Sequence, residues 1–402
     1  MTMPALPADN APAGDAFYTP PVPLPPGQPG DLVYQRPLDN EYAMLTDASS
    51  CWLVLYQSQD VHGNQIATSG IIALPQTAPP AGGYPVISWA HGTVGVADLC
   101  APSRDTPDSL AHPMNVYPQT LLNTLLQNGY AVAMTDYEGL GTTDRIHPYL
   151  HGQSEAYAIL DAVRAARQLF GSQVSDQVAV VGHSQGGQGA LFAGAYAPGW
   201  APELGLVGVA AIAPANHNLP LLQAGAALTG TNAGFAFTPL FLCGAIGADP
   251  TIDPAQVLSP GTFSTYWPQV QQRCRAGLSL TDSWGGIAGT TQFADGYLTT
   301  PNDDQQRFNN QVAAMNPAVT ITAPVRVTQA ADDERVLANP APYPGTDTLI
   351  TELTAANPNP GAITYQRYDA GTVTPDPVLG IHFATINYDT PALLSWLATC
   401  FG

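Results

Sequence analysis

The 402-residue chain contains no lysine: its 11 basic residues are all arginine, they face 31 acids, and the net charge is −20. That absence excludes Schiff-base chemistry and a phosphate loop built on lysine. So acidic a surface repels phosphate backbones and anionic membranes, which argues against nucleic-acid binding. Charged residues of both signs make up only 10%, too few for a coiled coil or a charge-rich disordered chain. Cysteine is scarce as well. Cys51, Cys100, Cys243, Cys274 and Cys400 show no metal-ligand spacing, so no metal is expected, and their odd number leaves at least one unpaired within the chain. No membrane span is expected either. The charge-free stretch 204–248 is interrupted by Pro214, Pro220 and Pro239. The first residues lack the basic and apolar regions of a signal peptide. The missing lysine, low charge and proline-rich start favour export, secreted or periplasmic, over the cytoplasmic alternative.

Glycine and proline are abundant, 38 and 39 residues, which implies many tight turns and irregular loops around a core drawn from 45% apolar residues. Residues 1–30 read as an extended, proline-rich, solvated arm. Two strands follow, from Cys51 and from Gln65, joined by a turn at His62-Gly63-Asn64. Beyond them strands and helices alternate. Strands are read from Tyr84, Tyr130, Gln177 and Leu206, and helices over Val116–Asn128, Ser154–Phe170 and Gly187–Ala195. This rhythm predicts an α/β architecture with a mainly parallel central sheet and helices on both faces. It stops for residues 215–321, then resumes with strands from Pro324 and Ala362 and a closing helix over Pro391–Cys400. The expected organisation is a catalytic body of 31–214 and 322–402 carrying a cap or lid insertion at 215–321.

The segment Val180-Val-Gly-His-Ser-Gln-Gly-Gly187 carries G-x-S-x-G between a buried strand and a small-residue helix. A nucleophilic serine on a strand-to-helix corner needs tiny neighbours so that strand and helix can approach, and Ser184 occupies that corner. The N–H of Gln185 then faces the developing oxyanion. A hydroxyl needs a base and an orienting acid, which in this strand order follow as acid, then histidine. His382 follows the last strands, whereas His217 opens the insertion and reads as a lining or surface residue. Asp332, Asp333 and Glu334 follow the strand from Pro324. Asp333 is preferred, with Asp332 as the alternative. The second oxyanion donor is expected at the N–H of Thr93 in His91-Gly92-Thr93, with His91 holding that loop by a structural hydrogen bond. The acids of Asp136-Tyr137-Glu138 are read as loop braces. Phe235, Phe237 and Phe241 in the insertion could line an acyl site or form the insertion's own core.

Assembled in order, these pieces resemble the secretory lipase family of the α/β-hydrolase superfamily. The resemblance includes Ala16-Phe17-Tyr18-Thr19-Pro20-Pro21, Trp89-Ala90-His91-Gly92-Thr93, Asp136 to Gly141, Gly182 to Gly187, the Asp333 loop and His382. It implies an α/β-hydrolase fold, a Ser184–Asp333–His382 triad, a cap over the acyl site, and hydrolysis of carboxylic esters including lipids without a cofactor. It also implies a Cys100–Cys274 disulfide. Gln329-Ala330-Ala331 replaces the more usual glycine-containing turn before the acid. The expected partners are a small-molecule or lipid ester and, transiently, a neutral lipid interface, with a monomer favoured. An acyltransferase using the same acyl-enzyme, or a hydrolase-fold binding protein without turnover, are the rival readings.

Overall fold

The computed structural model describes residues 9–142, 145–339 and 341–402. Its centre is one nine-stranded sheet: β1 Leu32–Pro37, β2 Ala48–Gln59, β3 Gln65–Pro75, β4 Tyr84–Ala90, β5 Ala131–Thr135, β6 Val174–His183, β7 Gly205–Ile212, β8 Val325–Ala330 and β9 Ile363–Tyr368. The spatial order is β1-β2-β3-β5-β4-β6-β7-β8-β9. The first pairings, through β3 against β5, are antiparallel, and every pairing from β5 to β9 is parallel. The central strands read as unbroken apolar runs because both faces are covered; Val178, Val180, Val181 and Val209 to Ile212 are solvent-free. Helices Gly152–Phe170 and Gln185–Trp200 pack on each other and on the central strands. Gln119–Gln127 and Gly380–Phe401 form a second helical pair against the sheet. Asp60 secures the β2–β3 hairpin by accepting from the N–H groups of His62 and Asn64.

Four features differ from the sequence reading. Residues 1–8 of the expected arm lie outside the described residues, and the rest is not a solvated arm. Phe17 and Tyr18 are buried, Tyr18 is hydrogen-bonded to Ser103 at 2.9 Å, and Arg36 and Arg104 lie over their rings. Two aromatic side chains outweigh the solvation of the prolines around them. Strand β1 was not foreseen, because its short edge segment shows no clear alternation. The helix expected from Val116 to Asn128 is split, with His112–Val116 ending before Pro118 and Gln119–Gln127 following. Finally, the closing helix starts eleven residues before Pro391, and the nucleophile helix runs on to Trp200 through Pro198. Pro391 is accommodated where the Thr390 hydroxyl donates to the Ile386 carbonyl at 3.0 Å.

Residues beyond β7 form a separate apolar core that includes Leu240, Leu242, Trp284, Phe308 and Val312, closed against Val96, Tyr149 and Leu150 of the body. Cys100 and Cys274 form the disulfide the resemblance implies, with Cα atoms 5.5 Å apart, tying the loop after β4 to this segment. Cys51, Cys243 and Cys400 are free thiols. The two ends of the segment meet at one carboxylate: Glu352, on helix Thr346–Ala356, faces His217 at 3.2 Å and accepts from Asn316 at 3.0 Å. No helix of the described residues is long and apolar enough to cross a membrane.

Candidate active site

Parallel strands deliver their C-terminal ends to one edge of the sheet, and Thr93, Ser184, Gln185 and Asp333 lie just beyond such ends, those of β4, β6 and β8. Ser184 follows β6 and caps helix Gln185–Trp200 with φ 57° and ψ −115°, a conformation that L-residues adopt at a cost. The flanking glycines make the corner possible. A Cβ on Gly182 would stand 2.0 Å from the Gly186 carbonyl oxygen, and one on Gly186 would stand 1.9 Å from that of Ala90. Ser184 is held by its backbone, its N–H donating to Ile212 and its carbonyl accepting from Ala215.

His382 sits in the first turn of the C-terminal helix, not in a free loop, and it is buried. The Asp333 Oδ2 lies 2.8 Å from its Nδ1. Asp333 also accepts from Gln329 Nε2 at 3.2 Å and, through Oδ1, from the N–H groups of Arg335 and Val336 at 2.8 and 3.0 Å. Burial alone would raise its carboxyl; the charge and hydrogen bond of His382 and the two backbone donors outweigh that and hold it below the usual carboxylate range. The neighbouring acids serve elsewhere. Asp332 accepts from the Gly371 N–H, and Glu334 accepts from the N–H groups of Ile381 and His382, satisfying the N-terminus of the helix that carries the imidazole.

No hydrogen bond joins the Ser184 hydroxyl to His382 among the described residues; in resting hydrolases that contact is commonly loose. It is His183, the residue before Ser184, that contacts His382. Its Nε2 lies 3.1 Å from the His382 carbonyl, and the two rings stand 4.4 Å apart. Burial first, and then the proximity of His382, keep His183 neutral. Gly92 packs against His183 and Ser184, so the loop holding Thr93 borders the nucleophile. Gln185 opens its helix and its N–H has no intrahelical acceptor. The Thr93 hydroxyl meets Tyr149 at 2.8 Å; Tyr149 touches Phe241, and Phe241 touches Phe237. Phe235 lies elsewhere in the segment, buried against Gly225.

His91 is buried and neutral, contacting the Gly92 and Asp136 carbonyls. Asp136 binds Ser69 and Ser103, and Glu138 binds Ser154 and Arg145, as braces between loops. His217 contacts Asn216 and Glu352 at the base of the insertion.

Sequence reasoning missed the layer behind the nucleophile. The Gln185 amide donates to His147 Nε2 and to Glu155 Oε1, both at 2.8 Å. The His147 Nδ1–H is committed to the Glu138 carbonyl, and burial lowers this imidazole to about 3, so it accepts as the neutral form. Glu155 is solvent-free, its Oε2 has no partner, and burial raises it to about 8. These partners stand 30 and 38 residues from Gln185 in sequence, beyond the reach of local pattern. A surface cleft of about 590 Å³ at the opposite strand ends is lined by Arg164 and Glu203, which are already paired with each other.

The sequence profile of the secretory lipase family matches residues 112–230. Over 212 residues the chain is 31% identical to lipase A of Arthroderma benhamiae, covering 50% of this chain and 44% of that one. The fold is similar to that of Candida antarctica lipase A in its closed state, with a TM-score of 0.67, 22% identity, and coverage of 85% and 77% of the two chains. It is equally similar to that of the rice cell wall degrading esterase LipA from Xanthomonas oryzae, with a TM-score of 0.67, 20% identity, and coverage of 92% and 97%. This is a secretory-lipase-like α/β-hydrolase fold. The aligned region spans less than half the length of the curated lipases it matches.

Proposed function

We propose that this chain is a carboxylic ester hydrolase working through an acyl-enzyme on Ser184. The observation that carries the reading is the 2.8 Å Asp333–His382 bond, spanning 49 residues and standing beside a serine at φ 57°. The Ser184 oxygen attacks the ester carbonyl as His382 removes its proton, and Asp333 holds the imidazole in the required tautomer. The N–H groups of Thr93 and Gln185 stabilise the oxyanion, and the alcohol departs with the proton from His382. Water then attacks the acyl-enzyme by the same route, releasing the carboxylic acid and restoring Ser184. No metal or cofactor enters these steps.

Residues 215–321 act as the cap, with Phe237 and Phe241 as an acyl wall continuous with Tyr149 and Thr93; Phe235 supports it from within. The Cys100–Cys274 bridge supports a secreted or periplasmic location, since such bonds persist in oxidising compartments. The working form is a monomer that meets neutral lipid interfaces transiently.

Hydrolysis of 4-nitrophenyl esters from acetyl to palmitoyl by the wild type and by Ser184→Ala tests the reading. Equal rates for the two proteins overturn it, and a wild-type optimum at acetyl removes the acyl wall.

A further inference from the structure

Arg275 is an anomaly in so acidic a chain. Its neighbour Arg273 pairs with Asp282 through two contacts of 2.9 and 3.0 Å, and Arg326 pairs with Asp389 inside the body. No carboxylate among the described residues lies within ion-pair distance of Arg275. Among the described residues its guanidinium meets only weak or distant acceptors, the Met114 sulfur at 3.0 Å and the Ser279 hydroxyl at 3.4 Å. Burial, then repulsion from Arg335, lowers it to about 10, so it is still a cation at neutral pH. Arg275 keeps part of its surface in water, and a cation so far withdrawn without a paired anion gains when an anion is supplied.

The position of Arg275 indicates where such an anion would come from. Its backbone N–H donates to Val94 at 2.7 Å, one residue beyond Thr93. Its guanidinium lies 5.8 Å from the ring of Phe237 in the cap. Arg335, whose charge it feels, belongs to the acid loop and lies over Phe383, next to His382. The cation therefore stands among the oxyanion loop, the cap and the histidine wall. Thr93 and Arg275 are linked by successive contacts through Tyr149, Phe241 and Phe237, an apolar run whose chemistry suits a polymethylene chain. A guanidinium fork matches a carboxylate in two parallel hydrogen bonds.

We propose that Arg275 is a specificity-determining residue that binds a carboxylate at the far end of the acyl chain, making monoesters of aliphatic dicarboxylic acids the preferred substrate class. This rests on the ester-hydrolase reading of Ser184, and the test separates the two. Mono-4-nitrophenyl adipate and 4-nitrophenyl hexanoate share a six-carbon acyl chain and differ in the terminal carboxylate. They are compared at an ionic strength of about 0.15 M, where the Debye length of about 8 Å screens the chain's overall charge. The wild type is expected to favour the adipate ester in kcat/KM by about tenfold, the lower end of what a charge-assisted hydrogen bond supplies. In Arg275→Met that ratio falls to about one or below, and Arg275→Lys retains part of it. A wild-type ratio of one or less overturns the proposal while leaving ester hydrolysis intact; failure to hydrolyse either ester overturns both. Should the variants not fold, the wild type still decides: adipate must inhibit hexanoate-ester hydrolysis more strongly than hexanoate does, and equal inhibition is contrary.

Discussion

Two carboxyls, one against His382 and one against Gln185, are both removed from water, and they differ in the donors they receive. Asp333, in the loop after β8, accepts four hydrogen bonds shared between its two oxygens. Glu155, behind the elbow, accepts two on one oxygen, from Leu150 and Gln185, and none on the other. Burial pushes both upward; only Asp333 has the backbone donors and the imidazole partner to reverse it. Charge in this site is thus set by the donors aimed at each oxygen rather than by depth.

Removing the charge on the first side has the largest expected effect. Asp333→Asn should lower kcat by roughly 10⁴, because the imidazole loses its orienting acceptor. A loss under tenfold, measured on a 4-nitrophenyl ester, would move the catalytic acid elsewhere. Withdrawing one donor sharpens the contrast: Gln329→Leu, which removes the 3.2 Å contact, should lower kcat about tenfold with KM little changed, and the acid limb of the pH profile should move upward. An unmoved limb would mean that Gln329 only fills space.

The second side should respond to pH in the opposite sense. Glu155 is held protonated in the folded state up to about 8, whereas the unfolded chain releases that proton near the ordinary glutamate value. The folded state therefore binds the extra proton between those limits, and this contribution to stability is lost as pH rises through them. For Asp333 the sign reverses: its contribution is present above the unfolded value and disappears as pH falls through the depressed one. Glu155→Gln should flatten the decline in Tm between about pH 5 and 8; an unchanged slope would show that the buried carboxyl is already ionised. The smallest effect belongs to Asp332→Asn, within about twofold in kcat, since among the described residues this side chain meets only the Gly371 N–H. A large loss there would reassign the acid.

The elbow was readable because its requirements are local. Gly182, Ser184 and Gly186 stand within five residues; a side chain at Gly182 would collide with the Gly186 carbonyl of the same turn, whereas one at Gly186 would collide with Ala90 at the end of the neighbouring strand β4, a clash that only the fold reveals. His382 was singled out from chain order alone. Its setting was not, since Pro391 reads as a helix start and the eleven helical residues before it carry no separate signal. The choice between Asp332 and Asp333 needed the loop's curvature, which turns one carboxylate toward the imidazole and the other toward Gly371. Glu155, His147 and Arg275 were illegible for a further reason. Their neighbours come from elements far apart in sequence, so nothing in a window around any of them distinguishes it from a surface residue.

Glu352 holds both the outgoing and the returning strand of residues 215–321, through His217 and Asn316. With its feet pinned at one carboxylate and its middle riveted to the body by Cys100–Cys274, the roof is divided into two arches of fixed span, and only the stretches between those rivets are free to change length.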